Sequence, residues 1–171
     1  MCYFLYIASP LTLSEVRSMV PEGITVDLAD PAEQGTLKAL HRGIQTVAKL
    51  LIGRCSCDFV RQRSSTRQED ERHIRERYRR AGVSRAEVIA GLERHRAGES
   101  ILPPPEGWPR ALVDFVLEHA RNAGPTVYLL TFRPPSSSLQ FRPPVRRLHA
   151  DQITPDLNQW LLEGSPVLIS R

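Results

Sequence analysis

The feature that most constrains this chain is a pair of short runs that are apolar at odd and even positions alike. Cys2-Tyr3-Phe4-Leu5-Tyr6-Ile7-Ala8 is the first, and Thr126 to Phe132 is the second. Successive side chains of a strand point to opposite faces, so a strand greasy on both needs cover on both. Such strands belong in the middle of a sheet with packing on either side. Ser9-Pro10 closes the first run.

The remaining elements are placed around these two. Thr12 or Ser14 can cap a short helix through Met19, which Pro21 and Gly23 stop, and 24–28 reads as a strand. Leu37, Leu40, Ile44, Val47, Ala48 and Leu51 fall at i, i+3/i+4, i+7 spacing and predict a helix over 36–52, with Gly53 as its left-handed cap. Residues 54–60 read as a short strand or a tight loop entering one. Residues 64–95 are helical in pattern and heavily charged, broken at Gly82, with a capping-box spacing at Ser84 and Glu87. Pro103-Pro104-Pro105 is a stiff connector. A helix over 110–121, a strand over 145–149, a short helix from Pro155 and a last strand at 167–169 complete the chain. The alternation of strands and helices predicts an α/β fold: a single domain over 1–171 with a mixed sheet of about five to six strands packed with helices. An Arg-rich helical insertion with a Pro-rich connector, 61–105, sits within it.

No apolar run approaches the ~20 residues a membrane-spanning helix needs. The N-terminal stretch lacks a basic region before it, so it reads as a strand rather than a signal peptide. Three cysteines are too few and too odd a number for a disulfide framework, which favours reduced thiols and a cytoplasmic location. The net charge of +4 is concentrated: between Arg61 and Gly98 eleven arginines face six acids. Arginines on helices can neutralise phosphates or dock an acidic protein. Arg72, Arg75 and Arg79 are the candidate contacts. The interleaved acids and the near absence of stacking aromatics also fit a solvated, ion-paired face.

The sharpest chemical feature is Cys55-Ser56-Cys57-Asp58. In a strand the two cysteines would share a face, with Ser56 and Asp58 on the other. In a turn the backbone amides could gather an anion beside Asp58. Cys2, at the start of a central strand, could join the pair. Three thiolates suit a soft ion, Zn(II) or Cu(I). His41, His119 or His149 could supply a fourth ligand, and no spacing selects among them. Buried cysteines acting as small hydrophobes are the plain alternative. Cys2 also permits a catalytic reading, since removal of Met1 would leave an N-terminal nucleophile with its own amine as base.

The start Met-Cys…Leu-Tyr-Ile-Ala-Ser, the Gly53-Arg54-Cys55-Ser56-Cys57-Asp58-Phe59 segment, and Gly124-Pro125-Thr126-Val127-Tyr128-Leu129 together resemble a group of small bacterial proteins of unknown function. That resemblance implies a shared first strand, a shared Cys-x-Cys segment and a shared last strand at 167–169. Residue by residue it points to Cys2, Cys55 and Cys57. Arg54, Ser56, Asp58 and the insertion at 61–98 depart from the group, and it implies no activity.

The sequence therefore leaves three expectations: a soft-metal or thiol centre at Cys2, Cys55 and Cys57; an interaction protein using its Arg-rich helices on an acidic protein or nucleic acid; and an N-terminal cysteine enzyme.

Overall fold

The computed structural model describes residues 2–53, 55–59, 71–72, 75, 79, 84–96, 110–133, 139, 141 and 144–171. Most of the 61–105 insertion, the Pro103–Pro105 connector and the side chains of Cys2 and Asp58 lie outside that description.

The doubly apolar run Cys2–Ser9 is strand β1, and Thr126–Arg133 is β4, its antiparallel neighbour. Between them the chain forms α1 (Leu13–Met19), β2 (Thr25–Leu28), α2 (Pro31–Lys38), β3 (Thr46–Leu51), α3 (Arg85–Arg96) and α4 (Arg110–Ala123). After β4 come β5 (Arg146–His149), α5 (Leu157–Trp160) and β6 (Val167–Ser170). The six strands make one sheet in the order β2-β3-β1-β4-β6-β5. Every neighbouring pair is antiparallel except β5 and β6, which makes the sheet mixed. The protein is a single α/β domain.

Burial on both faces follows the composition of β1. Tyr3, Leu5 and Ile7 belong to one core with Val16 of α1, Leu112, Phe115 and Val116 of α4, and Trp160 of α5. Tyr6 and Ala8 point the other way, into a smaller core with Leu37 of α2, Val47, Leu129 and Leu168. Helix α1 starts where its cap residue predicts, with the Thr12 hydroxyl accepting from Glu15 N and the Glu15 carboxylate accepting from Thr12 N. Ser84 and Glu87 do the same for α3. The outer edge of β2 is closed by Arg17, whose Nε and Nη2 both donate to the Val26 carbonyl, at 3.1 and 3.0 Å.

One prediction fails. There is no helix over 36–52: α2 ends at Lys38, the chain turns at Gly43 with φ +87°, and 46–51 is β3. A strand buried on both faces shows no clear alternation, and Val47, Ala48 and Leu51 happen to satisfy helical spacing when joined to Leu37 of α2 and to Leu40 and Ile44 of the connecting loop. Gly53 does adopt positive φ, +68°, but it turns the chain after a strand rather than ending a helix. No helix among the described residues is long and apolar enough to cross a membrane.

Candidate thiol site at the start of the central strand

Strand β3 runs antiparallel to β1, so whatever follows β3 arrives beside the first residues of β1. Immediately after Leu51 the chain reverses through Gly53: Ile52 and Cys55 form an antiparallel bridge, and Ile52 N donates to Cys55 O at 2.9 Å. The β1–β3 ladder has stopped at Leu5 and Leu50. Beyond it, Cys55-Ser56-Cys57 takes the place of β3 as the neighbour of β1.

Ser56 is the wedge in this arrangement, and its side chain is fully buried. Its Oγ accepts from Leu5 N at 2.8 Å and donates to Leu50 O at 2.6 Å, standing between two backbone groups of the last ladder pair. Its own N donates to Tyr3 O at 2.8 Å, and its carbonyl accepts from Phe59 N at 3.1 Å. Tyr3 N then donates to Cys57 Sγ at 3.4 Å. Tyr3 N, Tyr3 O and Leu5 N are thereby matched, as buried peptide groups require.

The cysteines are therefore not side by side on a strand. Cys55 closes a turn, Ser56 bends, and Cys57 opens a 3-10 turn ending at Phe59. Of the backbone amides here, that of Ser56 donates to Tyr3 O and that of Phe59 to Ser56 O. Cys55 and Cys57 are thiols, both half-buried. The backbone of Cys2 does come to them. Tyr3 N carries the peptide bond from Cys2, so the Cys2 Cα is about 2.4 Å from that nitrogen. It follows that this Cα lies no more than about 6 Å from Cys57 Sγ. Tyr3 itself packs its ring against Phe132, centroids 5.1 Å apart, and donates its hydroxyl to Glu163 at 3.0 Å.

None of the three histidines can complete this site. His119 of α4 is fully buried with Nε2 2.9 Å from Ser9 Oγ, at the far end of β1. Six residues of strand separate Ser9 from Tyr3, roughly 20 Å. His149 ends β5 opposite Ser170, toward the Ser9 end of the sheet, and pairs with Asp151 at 3.2 Å. His41 sits in the loop entering β3, again at that end, where Gln45 N meets Ser9 O. Among the described residues no group of three His, Cys, Asp or Glu side chains is arranged to hold a metal.

Two further polar clusters gave no signal in the sequence. On the α2 face, Lys49 of β3 reaches Glu33 at 2.8 Å and Asp30 at 3.3 Å, while Tyr6 donates to Glu33 at 2.7 Å. The Lys49 ammonium also lies over the Phe4 and Tyr6 rings, 5.5 and 5.7 Å from their centroids. Glu33 is buried and engaged at both oxygens, so this cluster ties α2 to the sheet. On the opposite face, the Ser9 hydroxyl accepts from Leu11 N and meets His119. Burial holds the His119 imidazole down at about 4, well below its ordinary value, so it is neutral. Among the described residues, nothing partners the buried His119 Nδ1 or the buried Tyr128 hydroxyl. Burial also pushes the Tyr128 phenol well above its usual range.

Of the arginine candidates, Arg72, Arg75 and Arg79 are helical and exposed, and Arg75 lies 3.8 Å from Glu71 one turn away. No family model, no curated protein and no solved structure matches this chain.

Proposed function

We propose that the start of β1 is a thiolate site at which Cys2, Cys55 and Cys57 hold a soft metal ion, Zn(II) or Cu(I). The observation that carries this reading is the Tyr3 N to Cys57 Sγ contact, which sets the backbone of Cys2 against Cys57. A backbone N–H aimed at sulfur stabilises negative charge there, and the thiolate is the form that ligates soft ions. The same three positions are those the resemblance to the small bacterial group singles out.

The test uses the reduced full-length chain, titrated with Zn(II) and with Cu(I) against a competing chromophoric chelator. One ion binds per chain, and Cys2→Ser, Cys55→Ser and Cys57→Ser each weaken it by more than about 100-fold, beyond what loss of an outer hydrogen-bond partner causes. Binding unchanged in all three variants, or no stoichiometric binding, refutes the reading.

A second reading rests on Arg72, Arg75 and Arg79, exposed at i, i+3 and i+7 and so on one helical face. With few aromatic platforms nearby, an acidic protein surface suits this face better than bases that must stack. Retention on a polyglutamate matrix that falls with salt, and is lost on changing the three arginines to glutamine, supports it. Equal retention by the variant refutes it, and retention on duplex DNA alone assigns the face to nucleic acid.

A further inference from the structure

We infer that Cys55 and Cys57 are a peroxide-sensitive modification site whose oxidation unfastens the start of β1. The inference deepens the thiolate reading and rests on it for the reactivity of Cys57, but it needs no metal. Its grounds are the hydrogen bonds that use the Cys-Ser-Cys segment as a fastener. Tyr3 N donates to the Cys57 sulfur, Tyr3 O accepts from Ser56 N, and Leu5 N donates to Ser56 Oγ. The fastener thus includes one sulfur atom that chemistry can change.

The thiolate of Cys57 attacks one oxygen of a hydroperoxide. A sulfur–oxygen bond forms, the oxygen–oxygen bond breaks, and the leaving alkoxide or hydroxide takes a proton, giving the sulfenic acid. The Cys55 thiol then attacks that sulfur, a sulfur–sulfur bond forms, and the sulfenic oxygen leaves as water. Two thiols are oxidised and one peroxide is reduced. The bend at Ser56 favours closure. Fully extended, residues two apart stand about 7 Å from Cα to Cα, at the limit for a disulfide, and bending shortens that span. Both cysteines are half-buried rather than sealed in the core, which lets a small peroxide reach them.

A disulfide turns the Cys57 sulfur toward Cys55 and away from Tyr3. Tyr3 N then loses its acceptor and, being part of a buried strand, must find water. The consequence is local: β1 stays paired to β4 along Cys2–Ala8 while its β3-side edge opens at Tyr3.

The experiment treats the reduced, metal-free full chain with equimolar hydrogen peroxide and reads intact mass, a disulfide peptide map and amide exchange. The expected product is lighter by two hydrogens, maps to Cys55–Cys57, and exchanges the Tyr3 amide at least about tenfold faster, with the amides of β6 unchanged. Cys55→Ser stops at the sulfenic acid, heavier by one oxygen, and Cys57→Ser, which keeps a hydroxyl acceptor for Tyr3 N, does not react. A disulfide that maps to Cys2, an unreactive wild-type chain, or a Tyr3 amide indifferent to oxidation overturns the inference. A chain that forms this disulfide yet binds neither Zn(II) nor Cu(I) loses the metal reading alone. One that binds metal yet resists peroxide when metal-free loses this inference alone.

Discussion

At the scale of single residues, the Cys-Ser-Cys segment stands out in the sequence for its sulfurs, yet its middle residue does most of the structural work. Ser56 meets Leu5 N fifty-one positions away and Leu50 O on the neighbouring strand. Ser56→Ala leaves both of those buried backbone groups without a partner, at about 1–3 kcal/mol each, so the variant should lose roughly 2–6 kcal/mol in urea unfolding. A loss under half a kcal/mol would mean that the strand ends re-pair without the hydroxyl. Nothing local in the chain announces this role, because a serine between two cysteines looks the same whether it faces solvent or a gap between strands. The cysteines were legible as candidates, but the sequence left strand and tight loop both open for them, and the chain takes a turn and a bend. The histidines offered as a fourth ligand all lie toward the other end of the sheet, a distance only the topology reveals.

At the scale of elements, the chain is readable wherever its pattern is one-sided or its punctuation strong. Thr12 and Glu15 open α1, Ser84 and Glu87 open α3, and the apolar stripe of α4 with Gly124 beyond it gives both its face and its end. The 36–52 segment defeats the same reasoning because β3 is buried on both faces and carries no period of its own. Gly43 is the residue that separates the two elements, and a single glycine inside an apolar pattern is easily absorbed into a helix. What joins the separated elements is Lys49 of β3 with Glu33 of α2. Lys49→Met strands a buried carboxylate and should cost about 3–5 kcal/mol, whereas adding Glu33→Gln to it should recover most of that loss. Urea midpoints of the single and double variants decide the matter. A double variant as weak as the single one would show that packing, not charge, holds α2 down.

At the scale of the whole molecule, the two doubly apolar runs determined the architecture: β1 and β4 are neighbours near the middle of the sheet, and both faces carry cover. Global stability should depend on pH through His119. Its ordinary value is 6.5 and burial lowers it to about 4, so between those limits the unfolded chain takes up a proton that the folded chain refuses. Stability is therefore full above pH 6.5 and falls as the pH drops toward 4, by about 3 kcal/mol in all. His119→Gln, which keeps an amide near Ser9, should flatten that part of the profile in urea titrations at neutral pH and near pH 4, and an unaltered slope would assign it to other groups. The place of β1 between β3 and β4 has a further consequence for how the chain is made. A strand with no polar face leaves the ribosome well before β4 exists to cover its second edge. Until then it is a sticky, half-paired ribbon, so nascent chains halted before β4 should aggregate or recruit chaperones, while those released after β6 should not.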